Sequence, residues 1–268
     1  MKPHGISNGT RWCEVLNMPK KFSYTKCIQK VNELISPSET KLPRIDMKSI
    51  IMANINKYVR ENVPPMLYRY TSIGLDRIPN ILNGEIYLLP AAKMNDVFEA
   101  APYGECSPPN INAQEINRCQ EELYLKSFTY AKNNILMWSH YGDSNEGICI
   151  GYDFREASND VVRHLYPVQY SNTRFSDSIA QNIASHPFLC IRKSKCWKYE
   201  KEFRLIYPDY EIPEDHTISL NCIKEVQFGY HVRQQQIDMI KELVAGKNIK
   251  LYRTRQKEHS FELTREEL

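Results

Sequence analysis

The chain has 268 residues, of which 42% are hydrophobic and 25% are charged, and its formal net charge is +3. This composition is that of an ordinary globular protein, long enough to bury a substantial core. The small net charge gives no strong signal for a nucleic-acid partner, and no apolar run is long enough for a membrane span.

Residues 1–63 differ from the rest and are predicted to form an N-terminal helical extension or arm. Apolar residues at helical spacing predict helices from Phe22 to Leu34 and from Met47 to Val63. The polar stretch SPSETKLP between them is typical of a loop or linker, and Pro64 closes the segment. We expect this arm to bind a partner or to act in targeting. The first residues lack the apolar region of a secretory signal, so we expect a cytoplasmic location, with secretion by another kind of signal left open.

Strand patterns dominate from Met66 onward, and we assign residues 64–268 to one α+β domain. β-Branched and aromatic residues predict strands in MLYRYTSI, EIYLLP, LYLKSFTY, EGICIGYDF, HLYPVQYS and EFRLIYP. One or two more are predicted in ISLNCIKEVQFGYHV, and a final pair in NIKLYRTR and SFELTRE. EGICIGYDF alternates apolar side chains and is predicted to be half-buried.

Four helices are predicted within this domain. One covers GLDRIPNILNG, with Thr71 or Ser72 as its cap, and one covers KNNILMWSHYG, between an asparagine cap and Gly142. The other two cover residues 174–193 and RQQQIDMIKELVAG. The irregular spacing of strands and helices predicts an α+β fold with a mixed or antiparallel sheet flanked by helices.

The eight cysteines form no C-x-x-C pair and show no metal-ligand spacing with histidine. We expect all of them to be free thiols in a reducing compartment. They are Cys13, Cys27, Cys106, Cys119, Cys149, Cys190, Cys196 and Cys222.

Three charged residues alternate in the stretch KCWKYEKEFRLIYP. If this stretch is a strand, Glu200, Glu202 and Arg204 share one face. One interpretation is a solvated face with cross-strand ion pairs. The other is a carboxylate pair on a rigid element, which could stabilise a developing cation or accept a proton.

Arg69 lies between two tyrosines in LYRYTS and is the first candidate for anion binding. Its guanidinium suits phosphate or carboxylate, and Thr71 and Ser72 could add hydroxyl and amide donors at the following turn. The alternative is a surface arginine beside a helix cap.

A second group of candidates comes from two short motifs. KMNDVFEA supplies Asn95, Asp96 and Glu99, which could equally start a turn. MWSHYG supplies Trp138 and Tyr141 on one side of a helix, with His140 pointing away in either a structural or a catalytic role. Asp96, Glu99, His140 and Glu202 could together hold a divalent metal, but no spacing requires one and no metal is expected.

Five motifs occur in a characteristic order: LYRYTS, LNGEIYLLPAAKMNDVFEA, KSFTYAKNNILMWSHYGDSNEGICIGYDF, CWKYEKEFRLI and IKEVQFGYHV. Together they resemble family 2971 of the bacterial domains of unknown function, over about residues 66–255. The chain departs from the family pattern at Val97, where the family usually has proline.

The order of Arg69, Ser127 and Glu202 also resembles the Arg–Ser–Glu class of ADP-ribosyltransferases. The resemblance implies a split β-sheet core and NAD as a substrate, with no metal. It implies that Glu202 is the catalytic glutamate and that Glu200 prepares the acceptor. It also implies a NAD-binding role for Arg69 and Ser127, and for further residues of the same motifs. These further residues are Tyr70, Thr71, Trp138 and Tyr141.

Three functions are therefore considered. The first is an ADP-ribosyltransferase-like enzyme that modifies a protein or nucleic-acid acceptor, in the role of a toxin, effector or phage-defence protein. The second is a metal-dependent nuclease or other hydrolase. The third is a non-catalytic binding module whose motif residues form a buried polar network.

Overall fold

Two long helices begin the part of the chain that the structure describes. The structure is a computed structural model that describes residues 22–40, 45–96, 98, 121–173 and 190–268. Helix α1 spans Tyr24–Thr40 and α2 spans Ile45–Glu61. The linker predicted from residue 36 is therefore wrong for residues 36–40, where α1 continues despite the low helix propensity of most of these residues.

The rest of the described chain alternates strands with short helices. The strands are β1 (Leu67–Thr71), β2 (Glu85–Tyr87), β3 (Leu89–Pro90), β4 (Leu123–Thr129), β5 (Ile148–Tyr152), β6 (Leu165–Pro167), β7 (Gln169–Ser171), β8 (Arg192–Ser194), β9 (Glu202–Pro208), β10 (Thr217–Ser219), β11 (Ile223–Phe228), β12 (Lys250–Gln256) and β13 (Leu263–Glu267). The helices are α3 (Ile78–Leu82), α4 (Ile135–Tyr141), α5 (Asn159–Val162) and α6 (Gln234–Leu243). Short 3-10 helices cover Ala91–Lys93, Lys195–Glu200 and Asp209–Glu211.

Nine of these strands form one mixed sheet in the order β13-β12-β11-β5-β1-β4-β9-β6, with β3 paired to β4 beside this path. Of these pairs, only β11 with β12 is parallel. Two smaller sheets pair β10 with β2 and β7 with β8. The predicted α+β class with a mixed, mostly antiparallel sheet is confirmed.

Helices α1 and α2 pack onto this sheet and share its hydrophobic core. Val31 of α1 and Ile55 of α2 are both fully buried in the same cluster as Phe203 of β9. The ring of Tyr24 meets Phe203 edge-on at 6.1 Å between ring centroids. The described part of the predicted helical extension or arm, residues 1–63, therefore contributes to the same core as the sheet, and the domain boundary at residue 63 stays a prediction. A partner for this segment stays a prediction.

Three local predictions are corrected by the structure. Strand β5 is buried along its whole length, because β1 and β11 flank it and both of its faces are covered. HLYPVQYS divides into β6 and β7, which belong to different sheets. The helix predicted over residues 174–193 ends as strand β8 at residues 192–193, while residues 174–189 lie outside the described part.

Of two predicted helix starts, one is confirmed and one is wrong. Helix α4 is confirmed, with Asn134 as its N-cap and Gly142 as its C-cap. Helix α3 starts only at Ile78, after Arg77, so Thr71 and Ser72 do not cap it. Strand β1 includes Thr71, which leaves the chain extended where a cap was expected.

Five of the eight cysteines lie in the described part of the chain. They are Cys27, Cys149, Cys190, Cys196 and Cys222, and all except Cys196 are buried. No described helix is long and apolar enough to cross a membrane.

Candidate functional site

A cleft opens where β1 and β4 separate. Strand β9 pairs with one edge of β4 along its full length. The other edge of β4 is shared: β1 pairs with it at Thr129, and β3 pairs with it at Leu125 and Tyr124. Between these two contacts the edge has no partner among the described strands, and a cavity of about 410 Å³ lies there.

The cavity wall combines residues from β1, β3, β4, α4 and the segment from Lys193 to Glu202. Its polar and charged lining residues are Tyr68, Arg69, Tyr70, Lys93, Asn95, Lys126, Ser127, Thr129, His140, Tyr141, Lys193, Glu200 and Glu202. Four of these are lysine or arginine and two are carboxylates, so the described lining carries more positive than negative charge. The cavity can therefore hold an anionic ligand.

One end of the cavity is cationic. Arg69 Nη1 donates to the carbonyl oxygen of Ser127 at 3.3 Å, across the gap between the strands. Lys126 Nζ donates to the carbonyl oxygen of Tyr87. Among the described residues neither cation forms a salt bridge with a carboxylate. Burial lowers the pKa of Arg69, and the neighbouring Arg77 lowers it further.

The other end holds a buried network of two carboxylates and two cations. Lys193 Nζ donates to Glu200 Oε2 at 2.7 Å and to Glu202 Oε2 at 3.3 Å. Arg204 donates through Nε to Glu202 Oε1 at 2.7 Å and through Nη2 to Oε2 at 3.1 Å. All four side chains are at most 6% exposed. The interpretation of this row as a solvated face is therefore wrong.

The two carboxyl groups differ in their electrostatic surroundings. Burial alone would raise the pKa of Glu202, but the positive charges of Arg204 and Lys193 outweigh it and hold that pKa below its ordinary value. Burial and the negative charge of Glu202 raise the pKa of Glu200. Two carboxyl groups whose pKa values are driven apart can serve as one ionised group and one proton donor or acceptor.

Glu200 reaches this network without belonging to the strand. It is the last residue of the 3-10 helix Lys195–Glu200, and β9 begins at Glu202. Lys201 between them has a left-handed conformation with φ of 45°. The predicted alternation of three residues along one strand is therefore wrong at Glu200, because the chain turns at Lys201.

Helix α4 closes the side of the cavity next to the carboxylates. Tyr141 Oη donates to Glu200 Oε1 at 2.6 Å and accepts from Asn95 Nδ2 at 3.1 Å. His140 Nδ1 lies 2.9 Å from Tyr199 Oη. Tyr141, Asn95 and His140 thus all line the cleft, as side chains placed by one helix and one loop.

Strand β4 adds two hydroxyl groups. Thr129 Oγ1 donates to the carbonyl oxygen of Glu200, which ties β4 to the 3-10 helix. Ser127 Oγ is buried in the cavity wall. It lies near Glu202, and its hydroxyl helps to lower the pKa of that carboxyl group.

Several predicted residues take other positions. Trp138 is fully buried, with its ring edge-on to Tyr70 at 4.9 Å, so it does not line the cavity or stack on a ligand there. Tyr70 lines the cavity but donates through Oη to the carbonyl oxygen of Ala131 at 3.1 Å. Thr71 is buried outside the cavity lining, and its hydroxyl donates to the carbonyl oxygen of Ser72.

The residues considered for a metal are not brought together as a ligand set. Asp96 Oδ1 accepts from the backbone N–H of Phe98 at 3.0 Å, as a turn-forming aspartate does. Glu99 lies outside the described residues. In the ranges that the structure describes, no group of three or more His, Cys, Asp or Glu side chains is arranged to hold a metal ion.

Lys126 and Lys193 belong to the site but were not found from the sequence. Lys126 interrupts the apolar pattern of LYLKSFT, and Lys193 lies in the basic run RKSK. The first is a weak signal for a functional residue in a strand, since exposed strand faces also carry lysine. Lys193, within a basic run, cannot be distinguished in the sequence from an ordinary surface lysine.

One comparison with known proteins gives a match. The model of a protein family of unknown function, DUF2971, matches residues 137–205. This range contains the carboxylate network and most of α4, whereas Arg69 and Lys126 lie before it. No curated protein matches the chain, and no solved structure matches it. The family resemblance is confirmed for residues 137–205, and its wider extent stays a prediction.

Proposed function

We propose that this protein is an ADP-ribosyltransferase-like enzyme that binds NAD in the cleft between β1 and β4. The observation that carries the proposal is that Arg69 and Glu202, on the two strands that flank β4, line the same cavity. Its volume of about 410 Å³ lies in the usual range for small-molecule sites, roughly 300–1,000 Å³. The split of the sheet at this point supports the fold that the resemblance implies.

In this proposal the two ends of the cleft have separate tasks. The cationic end neutralises the pyrophosphate of NAD through the Arg69 guanidinium. At the other end, the bond between ribose carbon and nicotinamide nitrogen breaks, and its electron pair leaves with neutral nicotinamide. The ionised Glu202 stabilises the positive charge that develops on the ribose, as carboxylates do in glycoside cleavage.

The ADP-ribosyl group is then transferred to an acceptor. The acceptor nucleophile forms a bond to the anomeric carbon and loses a proton, which Glu200 can accept because its raised pKa makes it the stronger base of the pair. Tyr141, which donates to Glu200, fixes the orientation of that carboxyl group. The acceptor is a protein or nucleic acid in this proposal, and the role is that of a toxin, effector or phage-defence protein.

The test is the release of nicotinamide from NAD by the wild-type protein and by Glu202→Gln. We expect a loss of about a hundredfold or more, the usual effect of removing one preorganised electrostatic group. Glu225→Gln is the matched control, because Glu225 is also buried and ion-paired, to Lys132 and Arg265, but does not line the cavity. Melting temperatures of both variants separate lost chemistry from lost folding.

Two outcomes would contradict the proposal: no nicotinamide release by the wild type, or equal release by both variants. The closed ion pairs around Glu202 favour a second candidate, a binding module that holds a nucleotide without reacting with it. NAD that raises the melting temperature without any turnover would support that candidate.

A further inference from the structure

Lys126 occupies the middle of β4, at the unpaired part of its edge. Its neighbours in the pairing with β9 are apolar, since it lies opposite Leu205. Its ammonium group lines the cavity and donates to the carbonyl oxygen of Tyr87. Lys126 is partly buried. A lysine in such a position often has a carboxylate partner, but none is present among the described residues.

The charged groups that face Lys126 are themselves cations. Arg69 of β1 and Arg77 before α3 both repel it, and Lys93 lines the same cavity. Burial, followed by this repulsion, lowers the pKa of Lys126 to about 6. Arg77 donates to Ser72 Oγ and is not part of the cavity lining, but it lies close enough to repel both Arg69 and Lys126. In the free protein this repulsion favours the uncharged form of Lys126, and an anion bound among these groups would favour its charged form.

We propose that Lys126 is a phosphate-binding residue that works together with Arg69 and Arg77 to hold the phosphate groups of the ligand at the cationic end of the cleft. This deepens the proposed function, on which it rests for the identity of the ligand as a dinucleotide. The inferred site would bind a phosphate or a similar dianion whether or not the protein breaks the bond to nicotinamide.

Phosphate binding at this position is expected to change the protonation state of Lys126. Near neutral pH the free protein holds Lys126 mostly uncharged, and a bound anion favours the charged ammonium. Binding must therefore take up a proton from solvent. Affinity is greatest below about pH 6 and falls as pH rises above that value, until the pKa of Lys126 in the complex is also passed.

The experiment is calorimetric titration of the full chain with ADP-ribose, whose pyrophosphate stays ionised from about pH 5 to about pH 8. Titration in buffers of different ionisation enthalpy gives the number of protons taken up. We expect uptake by the wild type at neutral pH. We also expect a loss of about tenfold to a hundredfold in affinity for Lys126→Met, as for a lost hydrogen bond to a charged group.

Two further variants make the test specific. Lys126→Arg keeps a positive charge that does not titrate, so it should bind ADP-ribose without proton uptake. Lys132→Met removes a half-buried lysine outside the cavity, and should leave both affinity and proton uptake unchanged. Unchanged binding and proton uptake in Lys126→Met would overturn the inference while leaving NAD as a candidate ligand.

Sulfate separates this inference from the proposed function. If sulfate raises the melting temperature of the wild type but not of Lys126→Met, while ADP-ribose binds no better than sulfate, the anion site stands and the dinucleotide proposal falls. If neither sulfate nor ADP-ribose binds the wild type, the phosphate site is overturned.

Discussion

Glu200 and Glu202 share one ammonium group, that of Lys193, and this sharing determines how the folded protein titrates. Both carboxylates accept from Lys193 Nζ, and only Glu202 also accepts from Arg204. The unequal number of cations is the physical reason that the pKa of Glu202 is lowered while that of Glu200 is raised. The pair should therefore leave two opposite signatures in the dependence of stability on pH.

We predict that, as the pH is lowered from 7, the contribution of Glu200 to stability rises and that of Glu202 later falls, while Lys126, uncharged in the folded protein above about pH 6, contributes a separate loss. A raised pKa lets folded Glu200 bind a proton that the unfolded chain does not yet bind, so lowering the pH through this window stabilises the protein. Below the ordinary glutamate pKa of about 4.3, the unfolded chain is protonated while Glu202 is not, and its contribution is lost as the pH falls further. Urea unfolding from pH 7 to pH 3 measures both effects.

Glu200→Gln should lack the rise and keep the fall, whereas Glu225→Gln should keep both. A Glu200→Gln profile parallel to that of the wild type between pH 7 and about 4.3 would contradict the raised pKa of Glu200. At this scale the sequence led to the two glutamates but not to Lys193, because alternation along a strand says nothing about which distant cation lies opposite.

Helix α4 carries one wall of the cleft, and its start is fixed by a single side chain. Asn134 Oδ1 accepts from the backbone N–H groups of Leu136 and Met137, and its Nδ2 donates to the carbonyl oxygen of Tyr199. The cap thus joins the helix that presents Tyr141 to the 3-10 helix that presents Glu200.

We predict that Asn134→Ala lowers the free energy of unfolding by about 1 kcal/mol, the usual effect of losing an N-cap. It should also weaken ADP-ribose binding, because Tyr141 and Glu200 lose a common support. Ser158→Ala is the control: Ser158 caps α5 and is not part of the cavity lining. It should cost similar stability without changing affinity, and equal effects of both variants on binding would refute the link.

The elements that sequence predicted best are those with local signals. The Asn-Asn before α4 and the glycine after it marked both ends correctly. The turn at Lys201 was missed because a left-handed residue is usually glycine or asparagine, and lysine gives no such signal. The split between β1 and β4 has no local signal, because it depends on which strands share an edge.

For the molecule as a whole, the N-terminal helices complete the core beneath the half of the sheet that carries β9. We predict that Ile55→Ala destabilises the protein by about 2–5 kcal/mol, since Ile55 is fully buried between α2 and the sheet. Ile50 lies in the same helix but is 56% exposed, so Ile50→Ala should change stability by less than about 0.5 kcal/mol. Denaturant unfolding of both variants measures the difference.

Equal stability of the two variants would mean that α2 contributes little to the core. The overall α+β class could be predicted because strand and helix patterns have different periods. The packing of α1 and α2 onto the sheet could not be predicted. An amphipathic pattern shows that a helix covers an apolar surface, but it does not show whether that surface belongs to the same domain or to a partner.

The left-handed conformation of Lys201 determines how the two carboxylates of this Glu-x-Glu sequence are arranged. In an uninterrupted strand, two carboxylates two positions apart lie on the same face, roughly 7 Å from each other along the strand. Here the chain turns at the left-handed residue between them, and both Glu200 and Glu202 contact the ammonium group of Lys193. The same three letters can therefore encode either geometry, and a search for this spacing in other sequences finds the acids without telling whether they meet.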